Sequence, residues 1–296
     1  MKSSAENLPG KFFRTAFACL LAIPAWNGPT WYGPTWYGTL ARAGDFSIAA
    51  NPVCGMGKAL AEGCNAIRER EILDASSPEW SAIGRINYSN TRMRMHCTGT
   101  LVASDLVLTA AHCLFDSFAR RWLDPGQVHF VAGYQRGDAV AHSTALSYRV
   151  DPVHDTTTRN HFHDPRHDWA LVRLAERLGG KAGIIPVEEP QGLFTILLPS
   201  SALPSSAMAA GYPGLRPHVL SKAANCRIDW RFRDHGMIEH DCPLMQGDSG
   251  SPVLAGEAGA YRVIAVNSSV RTQDGRVISQ ATLVDTSLLG IEANGR

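Results

Sequence analysis

Residues 245–253 read MQGDSGSPV, which places Ser249 between an acid and a glycine, with Gly247 just upstream. A serine in a glycine-rich turn ordinarily caps the turn or faces water. It acts as a nucleophile only when an adjacent base takes its proton, because a neutral hydroxyl is a poor nucleophile. The interpretation of Ser249 therefore depends on whether the chain supplies a base, an orienting acid and a rigid frame.

The pattern of apolar runs and turns from residue 71 onward indicates the type of fold that carries Ser249. Short apolar runs rich in Val, Ile, Leu and Tyr are separated by turn signals such as DPG and DG; examples are HCTGTLVA, DLVLTAAHC, VHFVAGY, DWALVRL, YRVIAV and ISQATLV. Long amphipathic helices are scarce in this region. Because many short strands at regular spacing are typical of all-β domains, we predict a β-barrel or a β-sandwich.

Two other segments supply a histidine and an aspartate ahead of Ser249. Residues 109–113 read TAAHC after the run DLVL, and residues 167–171 read HDWAL at the start of another run. The imidazole of His112 has the proton affinity of a general base near neutral pH. The carboxylate of Asp168 would fix the imidazole tautomer and stabilise the imidazolium that forms during attack.

The acid has two rivals, Asp155 and Asp164, which lie in the stretch just before Asp168. We prefer Asp168 because the following run WALVRL makes it the first residue of a buried strand. Taken singly, Asp168 could be a strand cap and His112 a core histidine. Their joint occurrence with Ser249 favours a catalytic set.

The stretch HDTTTRNHFHDPRHD, residues 154–168, is rich in histidine. His161, His163 and His167 could in principle bind zinc. A recognised ligand spacing such as H-E-x-x-H is missing from the stretch. We therefore expect a solvated loop, and neither a metal nor another cofactor.

The segments TAAHC, DWAL and GDSGSP resemble the three signature motifs of trypsin-like (chymotrypsin-fold) serine proteases, in the chain order that this family uses. The resemblance covers about residues 71–290. HCTGTLVASDLVLTAAHC and CPLMQGDSGSPV look closest to the bacterial secreted branch that includes glutamyl endopeptidases. The resemblance implies two packed, antiparallel, six-stranded β-barrels and an endopeptidase whose cleft binds an extended polypeptide substrate.

On this resemblance, residues 71–185 form the N-terminal barrel with His112 and Asp168, and residues 186–296 form the C-terminal barrel with Ser249. The three side chains act as general base, orienting acid and nucleophile. The backbone N–H groups of Gly247 and Ser249 form the oxyanion hole, and a side chain at residue 247 would obstruct that turn.

Asp248 needs a cation, because a carboxylate buried in this turn is costly without one. In the family the partner is an α-amino group freed when a pro-segment is cut. The resemblance therefore implies a zymogen and an activating protease, with cleavage after Arg68 or Arg70. The chain lacks the family's usual Ile-Val-Gly-Gly start, and the alternative is that another residue satisfies Asp248.

The family also implies disulfides and a substrate pocket. Cys97–Cys113 resembles the bridge beside the catalytic histidine, and Cys226–Cys242 would tie a strand to the segment before Ser249, which leaves Cys54 and Cys64 for each other. Each such bridge adds about 2–4 kcal/mol of stability.

The expected first substrate pocket contains Pro243, Ser268 and Val270. Pro243 replaces the aspartate that gives trypsin-type enzymes their preference for Lys and Arg. Asn267 stands where glutamyl endopeptidases carry a histidine, so neither specificity is expected. Ser268 aligns with a serine that supports the catalytic aspartate. Val270 replaces a glycine and would favour small apolar substrate side chains.

The N-terminal region is predicted to be an export signal, residues 1–25, followed by a pro-segment or extension, residues 26–70. Three basic residues precede an apolar run at residues 15–26 that is too short to span a bilayer comfortably. An interfacial anchor is the alternative. We expect a secreted or periplasmic protein with no membrane attachment after cleavage. Of the seven cysteines, Cys19 lies in the signal, and the even number that remains suits an oxidising compartment.

The composition is that of a globular protein. Of the 296 residues, 45% are hydrophobic and 19% are charged, and the formal net charge is +1. These values support a sizeable core and give no reason to expect a nucleic-acid partner. Two alternatives to a peptidase stay open: a catalytically silent binding protein on the same fold, and an esterase that uses the same three residues.

Overall fold

The structure is a computed structural model that describes residues 54–55, 58–59, 61–89, 94–159, 161, 163–188, 204–273 and 276–284. The predicted signal peptide and the repeat GPTWYGPTWYG lie outside these residues. The strands up to residue 150 are β1 (Cys54–Gly55), β2 (Lys58–Ala59), β3 (Glu71–Ile72), β4 (Ile83–Ser89), β5 (Arg94–Ala103), β6 (Leu106–Thr109), β7 (Phe115–Asp116), β8 (Arg121–Trp122), β9 (His129–Ala132) and β10 (Ala141–Val150). The later strands are β11 (Ala170–Leu174), β12 (Ser206–Gly211), β13 (Ser221–Asp229), β14 (Met237–His240), β15 (Pro252–Ala255), β16 (Arg262–Gln273) and β17 (Arg276–Leu283).

Helical structure in the described residues is short. The helices are α1 (Ala61–Glu69) and α2 (Gly179–Ala182), with 3₁₀ turns at Ala111–Leu114, Pro125–Gln127 and Arg233–His235. None of the helices in the described ranges is both long and apolar enough to cross a membrane.

The first barrel closes in the order β10-β11-β6-β5-β4-β9, with antiparallel pairing throughout. Two of its strands differ in burial pattern, and their sequences explain the difference. Strand β6, LVLT, is apolar except for its last residue and is buried at every position. The first half of β10 alternates buried and exposed residues, because successive side chains point to opposite faces of a strand.

The second barrel has the order β12-β15-β16-β17-β14-β13, and β13 pairs back with β12 to close it. The two closed six-stranded antiparallel barrels confirm the predicted fold class. Strand β3 pairs with the outer edge of β13, through Glu71 opposite Lys222 and Ile72 opposite Ser221. The chain therefore contacts the second barrel before it enters the first.

Candidate active site

Two neighbouring strands of the first barrel bring His112 and Asp168 together. Strand β11 begins opposite the end of β6, with Ala170 paired to Thr109. His112 lies in the 3₁₀ turn after β6, and Asp168 lies just before β11. His112 Nδ1 is 2.6 Å from Asp168 Oδ2, and the backbone N–H of His112 donates to Asp168 Oδ1 at 2.8 Å. The second bond fixes the carboxylate plane, so the imidazole meets a rigid acceptor. We call His112 and Asp168 the dyad.

The dyad carboxylate is fully buried and receives two more polar contacts. Ser268 Oγ donates to Asp168 Oδ2 at 2.6 Å. His163 Nε2 lies 3.1 Å from Ser268 Oγ and 3.3 Å from Asp168 Oδ2. The Ser268 contact agrees with the role that the family alignment gives this residue. His163 was expected in a solvated loop, yet its side chain is only 11% exposed.

Burial and charge set the protonation of the dyad. Burial raises the pKa of Asp168, but the His112 charge and the hydrogen bonds from His112 and His163 outweigh it and hold that pKa well below its ordinary value. Burial lowers the pKa of His112, but the Asp168 charge and hydrogen bond outweigh it and leave that pKa above its ordinary value. The arrangement therefore stabilises an imidazolium beside a carboxylate, which is what a general base forms during proton transfer.

Ser249 is presented by a turn that only glycine can form at residues 247 and 250. Gly247 has φ +98° and Gly250 has φ +79°. A Cβ on Gly250 would lie 2.1 Å from Thr109 Oγ1 and 2.9 Å from the backbone nitrogen of Ala110, so the turn is pressed against the segment that leads into His112. A Cβ on Gly247 would lie 2.4 Å from the carbonyl oxygen of Tyr212.

Thr98 of β5 fastens this turn to the first barrel. Its N–H donates to the carbonyl oxygen of Ser249 at 2.9 Å, and its Oγ1 donates to that of Gly247 at 2.8 Å. Residue 97 is disulfide-bonded to Cys113, the neighbour of His112. Strand β5 therefore holds both the segment that carries His112, the candidate base, and the turn that carries Ser249, the candidate nucleophile.

Two N–H groups of the turn stay available for an oxyanion. Asp248 N donates to the carbonyl oxygen of Met245 at 3.0 Å. Within the part of the chain that the structure describes, neither Gly247 N nor Ser249 N donates a hydrogen bond. Two free donors that flank one residue in a rigid turn are the arrangement that stabilises the negative oxygen of a tetrahedral intermediate.

The carboxylate of Asp248 has a partner that the sequence did not identify. Arg70 Nη1 lies 2.8 Å from Asp248 Oδ2, and both side chains are 1% exposed. The need for a cation could be read from Asp248 itself, since a buried carboxylate requires one. The sequence did not show which of the chain's cations would be the partner, because Arg70 and Asp248 are 178 residues apart.

The predicted pocket residues have different surroundings: Ser268 contacts the polar side chains of Asp168 and His163, whereas Val270 lies among apolar side chains. Pro243 and Val270 are partly buried, and Val270 packs against the clusters that contain Met245 and Leu244. Beside them, Asn267 is buried and its Oδ1 is 2.7 Å from His240 Nε2. Burial lowers the pKa of His240 to about 4, so this histidine is neutral at pH 7.

Two disulfides, Cys97–Cys113 and Cys226–Cys242, are present in the structure with the pairing that the family implies. Cys64 is also disulfide-bonded. The side chain of Cys54 lies outside the described residues, so its pairing with Cys64 stays a prediction.

The rival acids have partners other than His112. Asp155 is exposed and accepts from Thr157, and Asp164 pairs with Arg166. His167 faces Asp151 at 3.2 Å.

Three other histidines, His154, His161 and His163, form a chain of ring contacts that ends at the dyad. Ring centroids are 5.1 Å apart for His154 and His161, 6.5 Å for His161 and His163, and 5.4 Å for His163 and His112. Donor atoms of His112, His163 and Asp168 lie within 4.8 Å of one another, a spacing that could hold a metal ion. Asp168 Oδ2 already accepts from His112 and Ser268, so the same atoms are used by the dyad.

Comparison with known proteins agrees with this geometry. Residues 97–266, more than half of the chain, match the family model of the trypsin-like peptidase domain. Similar solved structures include the protease Anisep from Arthrobacter nicotinovorans, with TM-score 0.54 and 19% identity over 74% of this chain and 97% of that one. A Glu endopeptidase in complex with MPD gives TM-score 0.57 and 16% identity over 75% and 93%. The thermostable serine protease AL20 from an extremophilic microorganism gives TM-score 0.54 and 18% identity over 73% and 96%. At these identities the structural likeness concerns the fold.

Proposed function

This chain belongs to the trypsin-like peptidase family and is a serine-type peptidase, and on that premise we propose that it is an endopeptidase acting through an acyl-enzyme on Ser249. The observation that carries the proposal is the rigid dyad beside the Ser249 turn. His112 Nδ1 is 2.6 Å from a carboxylate whose geometry is fixed by two further donors. With Nδ1 on the carboxylate, Nε2, which lies 3.9 Å from Cys113 Sγ, is the nitrogen proposed to accept the Ser249 proton.

The proposed reaction has two halves. Ser249 Oγ attacks the substrate carbonyl carbon while His112 takes the hydroxyl proton, and the carbonyl oxygen becomes an oxyanion held by Gly247 N–H and Ser249 N–H. Collapse breaks the C–N bond, and His112 gives its proton to the leaving amine. Water then attacks the ester with His112 again as the base, which releases the acid and restores Ser249.

The proposed substrate is an extended polypeptide with a small apolar side chain in the first pocket. Pro243 supplies no charge there, and Val270 fills space between the neighbouring apolar clusters. The neutral His240–Asn267 pair carries no positive charge for a carboxylate side chain. A substrate backbone that hydrogen-bonds along the cleft as an added β-strand would give affinity without further contacts to substrate side chains.

We propose that the protein acts outside the cytoplasm, as a secreted or periplasmic enzyme. The support is the signal-like segment at residues 1–25 together with the disulfides in the described region.

The test is active-site labelling with a fluorophosphonate probe, with hydrolysis of a peptide library and of matched ester and amide substrates. Wild type is compared with Ser249→Ala and with Ser76→Ala, a control in an exposed turn. Labelling and amide hydrolysis that persist in Ser76→Ala and vanish in Ser249→Ala support the proposal.

Other outcomes favour the alternatives. A folded wild type that never labels would indicate a silent binding protein. Rapid ester turnover with negligible amide turnover would indicate an esterase. A preference for Lys, Arg or Glu at the cleaved bond would refute the proposed pocket.

A further inference from the structure

The segment just before the first barrel inserts a charged side chain beneath the Ser249 turn. Arg70 follows α1 directly and precedes β3. Its Nη1 binds Asp248 Oδ2 at 2.8 Å, and its Nη2 donates to the carbonyl oxygens of Ser221 and Gly211. The guanidinium therefore joins the Asp248 turn to two strands of the second barrel.

This ion pair needs its partner, because both charges are out of water. Burial raises the pKa of Asp248, and the Arg70 charge and the Met245 N–H oppose that rise. Met245 N donates to Asp248 Oδ2 at 3.1 Å, so the same oxygen holds both Arg70 and the start of the turn. Removing one member of a buried pair leaves an uncompensated charge, which is strongly unfavourable.

The helix in front of Arg70 is anchored to the same place. Ile67 and Cys64 of α1 are buried and form an apolar cluster with Met245, against which Val270 and Val277 pack. The segment from α1 to Arg70 thus contacts the Ser249 turn at both Met245 and Asp248. It is packed as part of the domain.

We propose that residues 61–70 remain in the working enzyme and that Arg70 is a positioning residue for the oxyanion hole, in the place that a freed α-amino group occupies in related enzymes. The inference rests on the proposed function and changes one expectation of the sequence. No cleavage between residues 61 and 71 is needed for activity, and cleavage after Arg70 would break the chain that holds the guanidinium in place.

A guanidinium in this role predicts a different pH dependence of activity from that of an α-amino group. An α-amino group loses its proton near pH 8, whereas a guanidinium keeps its charge at any pH at which a protein stays folded. The other charged groups at this place are Arg216, which donates to the carbonyl oxygen of Arg70, and the Lys222–Glu71 pair on β13 and β3. We expect activity to persist to high pH without a limb near pH 8.

The experiment uses the full chain, with the N-terminus of the labelled species determined by sequencing and intact mass. The variants are Arg70→Ala, Arg70→Lys and the matched control Arg68→Ala, whose side chain is exposed two residues earlier on α1. The readouts are kcat and KM separately, the rate of fluorophosphonate labelling, the pH profile and a thermal melt.

We expect Arg70→Ala to lower kcat by about 10²–10³, the effect of misplacing an oxyanion donor, with a smaller change in KM. Arg70→Lys should recover most of kcat at pH 7 and lose it at alkaline pH, because an ammonium can be deprotonated and a guanidinium cannot. Arg68→Ala should match wild type, and active wild type should retain residues 61–70.

Three results overturn the inference: active enzyme whose N-terminus is residue 71, Arg70→Ala with kcat within about threefold of wild type, or Arg70→Lys with the wild-type alkaline profile. The last applies even if Arg70→Ala fails to fold. Labelling that appears only after cleavage at Arg70 refutes this inference alone. No labelling before or after such cleavage refutes the proposed function instead.

Discussion

Gly247 offers the sharpest test of the proposed oxyanion hole. Its φ of +98° is a conformation that residues with a side chain rarely adopt, and a Cβ there would lie 2.4 Å from the carbonyl oxygen of Tyr212 and 2.6 Å from His96 Nε2. The first contact is with backbone and cannot be relieved by rotating a side chain. Gly247→Ala must therefore move the turn, together with the two free N–H groups.

The magnitude has two parts. A non-glycine residue in a sparsely populated backbone region loses about 1–3 kcal/mol of stability. Loss of one oxyanion donor lowers kcat by about 10²–10³, equivalent to about 2.7–4 kcal/mol of transition-state stabilisation. We expect the second effect to dominate, with KM nearly unchanged, because the donors act on charge that develops only in the transition state.

The assay compares Gly247→Ala with Gly259→Ala by steady-state kinetics and thermal melting. Gly259 also has a positive φ, +81°, but a Cβ added there would meet no other described residue within 4 Å, and it is in an exposed turn before β16. The Gly259→Ala variant therefore measures the cost of the strained backbone conformation without displacing the Ser249 turn. A Gly247→Ala enzyme with kcat equal to that of Gly259→Ala would refute the reasoning about the oxyanion hole.

Three further predictions concern the dyad and the second barrel. Because the proposed base must be neutral and the pKa of His112 is raised, activity should fall as pH drops through a value above the ordinary histidine pKa of 6.5, which the acid limb of kcat/KM measures. An inflection at or below that ordinary value would contradict this. Ser268→Ala removes a 2.6 Å bond to the dyad carboxylate and should lower kcat about tenfold while the fold survives, as kinetics and circular dichroism will show. Arg271 makes two 2.8 Å bonds to the buried carboxylate of Glu239, so Arg271→Ala should lower the free energy of unfolding by about 1–3 kcal/mol in urea melts, whereas loss of the exposed Arg231 should have no measurable effect.

The sequence predicted the parts of this protein that are encoded locally. Apolar runs such as LVLT and ALVRL are strands in which most side chains are buried, and His112 and Asp168 follow from their positions just after one such run and just before the other. The glycines of GDSG signal a turn with positive φ. These features depend on neighbours within a few residues.

Features that depend on contacts between residues distant in sequence could not be predicted from the sequence. His163 was expected in a solvated loop because the stretch lacks a recognised metal-ligand spacing, but its ring reaches Ser268 and Asp168. Nothing near Glu71 and Ile72 indicates that they pair with the second barrel. Periodicity describes the faces of a strand, and it does not specify which strand will be the neighbour.

The ion pair between Arg70 and Asp248 also bears on the order in which the molecule can assemble. Ribosomes make Arg70 178 residues before Asp248, so a growing chain carries the arginine long before its acceptor exists. Contacts of such high sequence separation form late, because closing the loop precedes any gain from the contact. The Ser249 turn can therefore make this contact only after most of the polypeptide has been synthesised. On the proposed role of Arg70, the oxyanion hole is completed by folding and not by cleavage.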